Sequence, residues 1–354
     1  MVKIDYRKLI GFSKGSFVVT MPKAWVYKHN LKKGDTISIE EGSNELVFYA
    51  GEKEIKRGEK SISISAEDKK LSMIKAEIVS AYLNNYHTIE IFSETLEDDA
   101  PVIKDILRNL SGMEIIEQTG KRIVAKDLID VSSIPIQSII RRMDIITRSM
   151  IDDTILCMQG KCSPNSIIHR DTDVNRLYYL GFRVIKNVME DPMLMNKFGT
   201  TPWKISSDRK ILSRIEEIAD RQKRISRTLA EAEFKENVIK DLKEISMEIR
   251  ERYNNAMKAY YTNDKKIAYD IEITSKSVIE KCDKFLMDIG NEICSTCQQK
   301  QKSSASLSSS KKSTQENLVS SPAKIIVSAS RIAEHTKATV TFIKYIARTV
   351  LNMD

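Results

Sequence analysis

The chain has 354 residues, of which 41% are hydrophobic and 30% charged, a composition typical of soluble globular proteins with two or three domains. No apolar run approaches the roughly 18 residues that a membrane-spanning helix needs, and five cysteines are too few, and odd in number, for a disulfide framework. We therefore expect a cytoplasmic protein without a membrane span.

The net charge of +8 is concentrated near the start of the chain. Residues 1–33 contain eight lysines and arginines and one acid, Asp5, so nearly all of the excess lies there. Lysines placed near phosphates release condensed counterions, so this segment favours a polyanionic partner. The alternative is a solvated charged face.

Residues 1–50 are predicted to form short strands and one short helix. Ser16–Thr20 is rich in β-branched and aromatic residues, as strands are. Thr20 is the predicted cap, and Pro22 the predicted first-turn residue, of a helix that ends near Asn30. Strands this short bury too little surface to be stable alone, so we expect a dimer that shares the sheet.

Two motifs in this segment carry a family resemblance. Ser16-Phe-Val-Val-Thr-Met-Pro-Lys-Ala-Trp, followed by Leu31-Lys-Lys-Gly-Asp-Thr-Ile, resembles the AbrB-type swapped-hairpin DNA-binding domain. The shared pattern is a strand that ends in Thr, then Pro-Lys, and later Leu-x-x-Gly-Asp. The resemblance is confined to residues 1–50. It implies that two chains interleave their hairpins into one small β-barrel whose basic face lies on double-stranded DNA.

Six residues of this segment are predicted to bind DNA. Arginine is the best reader of base edges, whereas lysine mostly contacts phosphate. Lys23 also stands at a helix start, where free backbone N–H groups favour a phosphate. For Trp25 the alternative is a core position, since large aromatic side chains are more often buried. The six residues are Arg7, Lys8, Lys14, Ser16, Lys23 and Trp25.

Residues 51–130 are predicted to form a small α/β linker domain. A charged connector comes first, and nothing in the segment resembles a phosphate-binding glycine loop. From the spacing of apolar residues we predict a strand at 62–65, a helix around 71–82, a strand at 87–92, a helix at 100–110 and two strands around Gly120.

After Val131 the chain is predicted to be helical. Apolar residues from Ile139 to Met158 form a stripe at helical spacing, which is ordinary bundle core. Asp191–Lys204, with two prolines and a glycine, is predicted to be a loop.

The helical pattern repeats with a period of roughly 110 residues. Arg252–Asp264 matches the pattern of Arg148–Gly160. We therefore predict two tandem three-helix bundles, residues 131–236 and 237–354. A Ser-, Lys- and Gln-rich stretch in the second, 295–321, is predicted to be a disordered loop.

Three motifs in the helical region resemble the PhoU family of phosphate-uptake regulators. They are Asp171-x-x-x-Asn175-Arg-Leu-Tyr, Glu216-Glu-Ile-Ala-Asp220 and Ser330-Arg-Ile-Ala-Glu334. The order AbrB-like, small α/β, PhoU-like is similar to a group of archaeal fusion proteins of that family. The resemblance thus extends over almost the whole chain, and it implies a multidomain fold whose second half is all-α.

The PhoU resemblance also implies a metal site, because carboxylate pairs on neighbouring helices of that family hold iron or zinc. Hard oxygen ligands can do this when enough of them converge. Glu216 and Asp220 lie on one helical face, and the preceding helix offers Asp171 and Asn175, the latter where the family often has Asp. The alternative is that Glu216 and Asp220 are exposed carboxylates paired with nearby arginines.

In the second repeat the matching positions are Ser330 and Glu334, with Asp270 and Thr274 the nearest candidates on the preceding helix. Few of these are metal ligands, so we expect that site to be largely lost.

Enzyme signatures are absent from the sequence. The four histidines are scattered and fit neither a metalloprotease motif nor a nucleophile–base pair. We predict no catalytic activity.

The function predicted from these patterns is a dimeric DNA-binding transcriptional regulator of phosphate uptake, with a helical half that senses a signal or docks a partner. The alternative is a signalling adaptor that docks on a phosphate transporter or a kinase and uses the N-terminal module only to dimerise. The link to phosphate follows from the resemblance alone.

Overall fold

A computed structural model of the chain describes residues 5–13, 15–41, 46–51, 59–161, 163–304 and 321–353. The chain divides into two compact units, Met1–Gly58 and Glu59–Asp354. None of the described helices is both long and apolar enough to cross a membrane.

The first unit consists of two hairpins and one short helix. Its elements are β1 (Ile10–Ser13), β2 (Ser16–Val18), α1 (Lys23–Lys28), β3 (Ile37–Glu41) and β4 (Leu46–Ala50). Strand β1 pairs antiparallel with β2, and β3 with β4. Gly34 adopts a φ of +100° in the turn before β3, a conformation that favours glycine, and Asp35 accepts a hydrogen bond from the Lys32 N–H at 2.7 Å. This turn accounts for the Gly-Asp pair of the motif.

Helix α1 begins two residues later than a cap at Thr20 would place it. The residue that precedes the helix is Pro22, and no side chain caps the helix. The predicted cap by Thr20 is therefore wrong, because Thr20 lies two residues before the capping position. The fixed φ of Pro22 sets the direction in which the chain enters the helix.

The two hairpins remain separate sheets within the described residues. In the part of the first unit that the structure describes, one chain therefore forms small β-sheets but not a closed barrel. The swapped-hairpin barrel stays a prediction that requires a second chain.

The second unit begins with a four-stranded sheet covered by two helices. Its elements are β5 (Ser61–Ser65), α2 (Leu71–Leu83), β6 (Thr88–Phe92), α3 (Leu96–Arg108), β7 (Met113–Gln118) and β8 (Arg122–Asp127). The strand order is β5-β6-β8-β7, with β5 and β6 parallel and the other pairs antiparallel. Helix α2 is the crossover that a parallel pair requires. Apolar residues of both helices and of the strands form one core.

Helices make up the rest of this unit. They are α4 (Ile136–Cys157), α5 (Pro164–Glu190), α6 (Pro192–Lys197), α7 (Pro202–Glu231), α8 (Glu236–Thr262), α9 (Lys265–Ser304) and α10 (Pro322–Leu351). The predicted apolar stripe of α4 is buried at Ile139, Ile140, Met143 and Met150. Helix α7 packs against α4, α5 and α10, and α8 packs against α4, α9 and α10. The two predicted bundles therefore share one continuous core.

Two segments that were predicted to be loops contain helix. Helix α9 continues to Ser304, so the loop predicted for 295–321 is wrong for its first ten residues, because Lys and Gln are good helix formers. Residues 305–320 lie outside the described part of the chain. Within Asp191–Lys204, Pro192 and Pro202 are each the first residue of a helix. The N–H that proline lacks would have no partner inside the helix at that position, so its absence is not destabilising.

A buried ion pair fixes the small α/β segment to the helices. The Arg183 guanidinium of α5 donates to Asp127 at the end of β8 at 2.5 Å, and the two side chains are 1% and 2% exposed. The guanidinium also lies 4.2 Å from the ring centroid of Tyr82, and its Nε donates to Asn85 at 3.2 Å. The small α/β segment is therefore packed against helix α5 of the bundle.

Candidate functional site

Five of the six predicted DNA-binding residues lie in the described part of the first unit, and Lys14 lies outside it. Arg7, Lys8, Ser16 and Lys23 are exposed. Arg7 is paired with Asp5 at 2.5 Å. Because such an exposed pair is weak, Arg7 can exchange Asp5 for another anion at little cost.

Trp25 is partly buried, unlike the lysines around it. Its ring centroid lies 4.9 Å from that of His29, one helical turn further on. This contact favours the alternative that Trp25 is a packing residue.

The argument for Lys23 relied on free backbone N–H groups at a helix start, and helix α1 has only six residues, too few to add much of a helix dipole to them. Lys23 can therefore attract a phosphate mainly through its own exposed charge.

The first unit exposes large apolar side chains on both hairpins. Phe12 is 79% exposed and Phe17 68%. No described residue of this unit is buried. We refer to the following residues as the apolar set: Leu9, Ile10, Phe12, Phe17, Val18, Ile39 and Leu46.

The predicted metal ligands meet around a lysine that was not predicted. The Lys223 ammonium on α7 lies 2.7 Å from Asp171 Oδ2 on α5 and 2.9 Å from Asp220 Oδ1 on its own helix. Asn175 Nδ2 donates to Asp171 Oδ2 at 3.1 Å, and Arg224 Nε donates to Asp220 Oδ2 at 2.6 Å. The structure thus brings Asp171, Asn175 and Asp220 together, and two basic residues neutralise the two aspartates.

The electrostatics of this cluster differ from one carboxylate to the next. Burial raises the pKa of Glu216 to about 7, and the carboxylates of Asp220 and Glu217 contribute to that rise. Burial also acts to raise the pKa of Asp220, but hydrogen bonds from Lys223 and Arg224 outweigh it and the pKa is lowered. Asp220 is therefore held as a carboxylate, whereas Glu216 titrates near neutral pH.

The residues as placed do not fit a bound iron or zinc ion. Among the described residues, no three His, Cys, Asp or Glu side chains are grouped so that they could hold a metal. Oxygens of Asp171 and Asp220 that would ligate a metal already bind Lys223 and Arg224. Iron or zinc at this cluster stays a prediction from the resemblance, and no step of the proposed function depends on it.

Sequence reasoning missed Lys223 although a signal was present. Lys223 follows Asp220 by three residues, a spacing at which opposite charges meet on one helix face. Its reach to Asp171 could not be predicted, because that contact depends on how α5 and α7 pack.

Comparisons with known proteins give little further information. No family model matches the chain, and a search of curated proteins finds no match. Among solved structures, the chain is similar to the crystal structure of PhoU from Pseudomonas aeruginosa, with 10% sequence identity and a TM-score of 0.44 over 62% of this chain and 94% of that one. A likeness at this level carries no information about function.

Proposed function

We propose that this protein is a dimeric DNA-binding regulator. The first units of two chains would fold together around the apolar set and present Arg7, Lys8 and Lys23 to double-stranded DNA. The helical part would sense a signal or dock a partner. A role in phosphate uptake, and a phosphate transporter or signalling protein as that partner, rest on the sequence resemblance alone.

The observation that supports this proposal best is the exposure of the apolar set. Ordering the backbone costs roughly 1–2 kcal/mol per residue, and an isolated two-stranded hairpin is marginally stable at best. Burying a side chain such as Phe12 or Phe17 contributes about 1.5–3 kcal/mol. Since the described part of the first unit buries none of its residues, a second copy of that unit is the simplest source of a core.

The charge of the same segment supports DNA as the ligand of that dimer. The basic excess of residues 1–33 would be doubled in a dimer. The exposed Arg7, Lys8 and Lys23 side chains can follow a phosphate backbone. Such binding is strongly salt-dependent.

The test is a salt titration of DNA binding by the full-length chain. Fluorescence anisotropy would follow a labelled promoter duplex and a random duplex. The variant Arg7→Ala/Lys23→Ala should bind more weakly, and its slope of log K against log salt should fall by about 0.9 for each phosphate that the variant no longer neutralises. Lys276→Ala/Lys284→Ala, which removes two exposed lysines of α9, is the matched control and should leave the slope unchanged.

Two outcomes would contradict the proposal at different levels. If neither duplex binds at low salt, the DNA function fails and the adaptor alternative takes its place. If both duplexes bind equally with the same slope, sequence-specific regulation fails.

A further inference from the structure

A cavity of about 400 Å³ lies between helices α2, α3 and α5, where the small α/β segment meets the bundle. This volume is within the range of small-molecule sites in proteins, and such sites often form where two parts of a fold meet. Of the predicted metal ligands, Asn175 is the one that lines the cavity.

Helices α2 and α3 give this cavity apolar walls. Lys75 and Val79 of α2 line it, as do Val102, Asp105 and Ile106 of α3. Residues three or four positions apart lie on one face of a helix, so each helix turns a single face to the same space. On the α3 face, Val102 is 44% exposed.

Lys75 and Asp105 place opposite charges on two different walls of the cavity. Both residues are exposed. Among the residues that the structure describes, neither has an ion pair or a side-chain hydrogen bond. Their ammonium and carboxylate groups are therefore free to form charge-assisted hydrogen bonds, the stronger kind, with a ligand that carries both opposite charges.

We propose that this cavity binds a small zwitterion with an apolar side chain, of the class of the apolar α-amino acids. The ligand's carboxylate binds the Lys75 ammonium, and its ammonium group binds the Asp105 carboxylate. Its side chain packs against Val79, Val102 and Ile106. A purely polar zwitterion is disfavoured, because it would lose water at these apolar walls without gaining hydrogen bonds there.

The α5 wall connects this cavity to helix α7. Asn175 lines the cavity, and its amide donates to Asp171 Oδ2 at 3.1 Å, the oxygen that the Lys223 ammonium of α7 also binds. Tyr179 lines the cavity too. Burial raises the pKa of the Tyr179 hydroxyl, and the Glu216 carboxylate of α7 adds to that rise. A ligand in the cavity therefore lies beside the side chains through which α5 meets α7.

As the place where the helical part senses a signal, this site rests on the proposed function, whereas as a binding site it does not. Ligand binding is therefore measured without DNA. Failure of DNA binding leaves the ligand site standing, and failure of ligand binding leaves the DNA function standing.

The test is isothermal titration calorimetry of the full-length chain with L-leucine and with L-phenylalanine. Isoamylamine keeps the ammonium of leucine without its carboxylate, and isocaproate keeps the carboxylate without the ammonium. L-Glutamate keeps both charges but carries a charged side chain, so it tests the apolar walls. Melting temperatures with and without each compound detect binding that releases no heat.

We expect one or both apolar amino acids to bind and to raise the melting temperature. Isoamylamine and isocaproate should each bind at least about tenfold more weakly than leucine, because each lacks one hydrogen bond between charged groups. L-Glutamate should also bind more weakly, since its side chain has no partner at the apolar walls.

The variants Lys75→Met and Asp105→Asn should each weaken binding of the apolar amino acids by about tenfold or more. Lys104→Met and Asp98→Asn change residues of α3 that do not line the cavity, and they are the matched controls that should bind as wild type does. Lys75 and Asp105 are exposed, so their substitution should leave the melting temperature of the ligand-free protein within about 2 °C of wild type.

Three results would overturn the proposal. The first is that neither amino acid, at millimolar concentration, releases heat or raises the melting temperature. The second is that isoamylamine or isocaproate binds as tightly as leucine, since the ligand would then not be recognised as a zwitterion. The third is that Lys75→Met and Asp105→Asn bind the amino acids as wild type does.

Discussion

His335 shows how one side chain can make the stability of the bundle depend on pH. It lies partly buried on α10, with its Nδ1 3.2 Å from a guanidinium nitrogen of Arg221 on α7. Burial lowers its pKa below 6.5, and the charges of Arg221 and Arg224 lower it further, against smaller opposing effects of Glu334 and Asp220. The unfolded chain therefore takes up the proton first as pH falls, so this group's contribution to stability is present above pH 6.5 and is lost below it.

Replacing His335 should reduce the sensitivity of the protein to mild acid. We expect the melting temperature of His335→Gln to fall less than that of wild type between about pH 7.5 and about pH 5.5. His169→Gln, at an exposed position of α5, is the matched control. If circular dichroism shows the melting temperature falling equally in wild type and His335→Gln over this pH range, His335 does not make stability depend on pH.

The candidate metal site illustrates what single residues in a sequence can predict. The i, i+4 spacing places Glu216 and Asp220 on one helix, and the resemblance pairs them with Asp171 and Asn175 of the helix before. The structure shows that Asp171 and Asp220 meet through Lys223. No spacing rule says which lysine of a helix reaches across to its neighbour, because rotation and offset of packed helices decide it.

At the scale of elements, the long helices with an apolar stripe were predictable, whereas helix ends and the short helix α6 were not. The stripe from Ile139 to Met158 predicted α4 because its apolar residues face one core. The end of α9 was missed because Gln, Lys and Ser lack an apolar period yet allow a helix. Helix α6 was missed because the two prolines of Asp191–Lys204 indicated a loop, although Pro192 opens this helix. Local rules of this kind leave open whether a proline ends one helix or begins the next.

The junction between β8 and α5 should be one of the most sensitive contacts between elements. Removing one partner of a fully buried ion pair typically costs about 3–5 kcal/mol, because the other charge stays buried. We expect the free energy of unfolding of Arg183→Met, measured by urea denaturation, to fall by an amount in this range. The variant also removes the guanidinium that lies over the Tyr82 ring.

An exposed arginine of the same sheet supplies the control for this prediction. Arg122 pairs with Glu90 at 2.5 Å, with 46% of its side chain exposed, so Arg122→Met should cost less than about 1 kcal/mol. Combining Arg183→Met with Asp127→Leu should recover part of the stability, since no unpaired charge remains. If Arg183→Met and Arg122→Met lower the free energy of unfolding by the same amount, the buried ion pair does not fix the junction between β8 and α5.

For the whole molecule, the two units differ in what one chain can stabilise by itself. The second unit buries continuous apolar cores within one chain. In the first unit, the described residues of a single chain bury no side chain. The shortness of the strands predicted this difference. It did not predict which apolar residues stay exposed, because that depends on strand twist and on local irregularities such as the register shift between Gly11 and Ser13.

Removing two rings of the apolar set should therefore separate the chains. Four phenylalanines, Phe12 and Phe17 from each of two chains, would contribute roughly 6–12 kcal/mol to a dimer if fully buried, which corresponds to more than about ten-thousandfold in dissociation constant. We expect wild type to sediment as a dimer and Phe12→Ser/Phe17→Ser as a monomer at the same concentration, with the thermal transition of the helices unchanged. Phe92→Ser, at a 40% exposed position of β6, is the matched control and should stay dimeric. A wild-type monomer, or a dimer that survives both substitutions, would show that the apolar set does not hold two chains together, and the first unit would then need another source of its core.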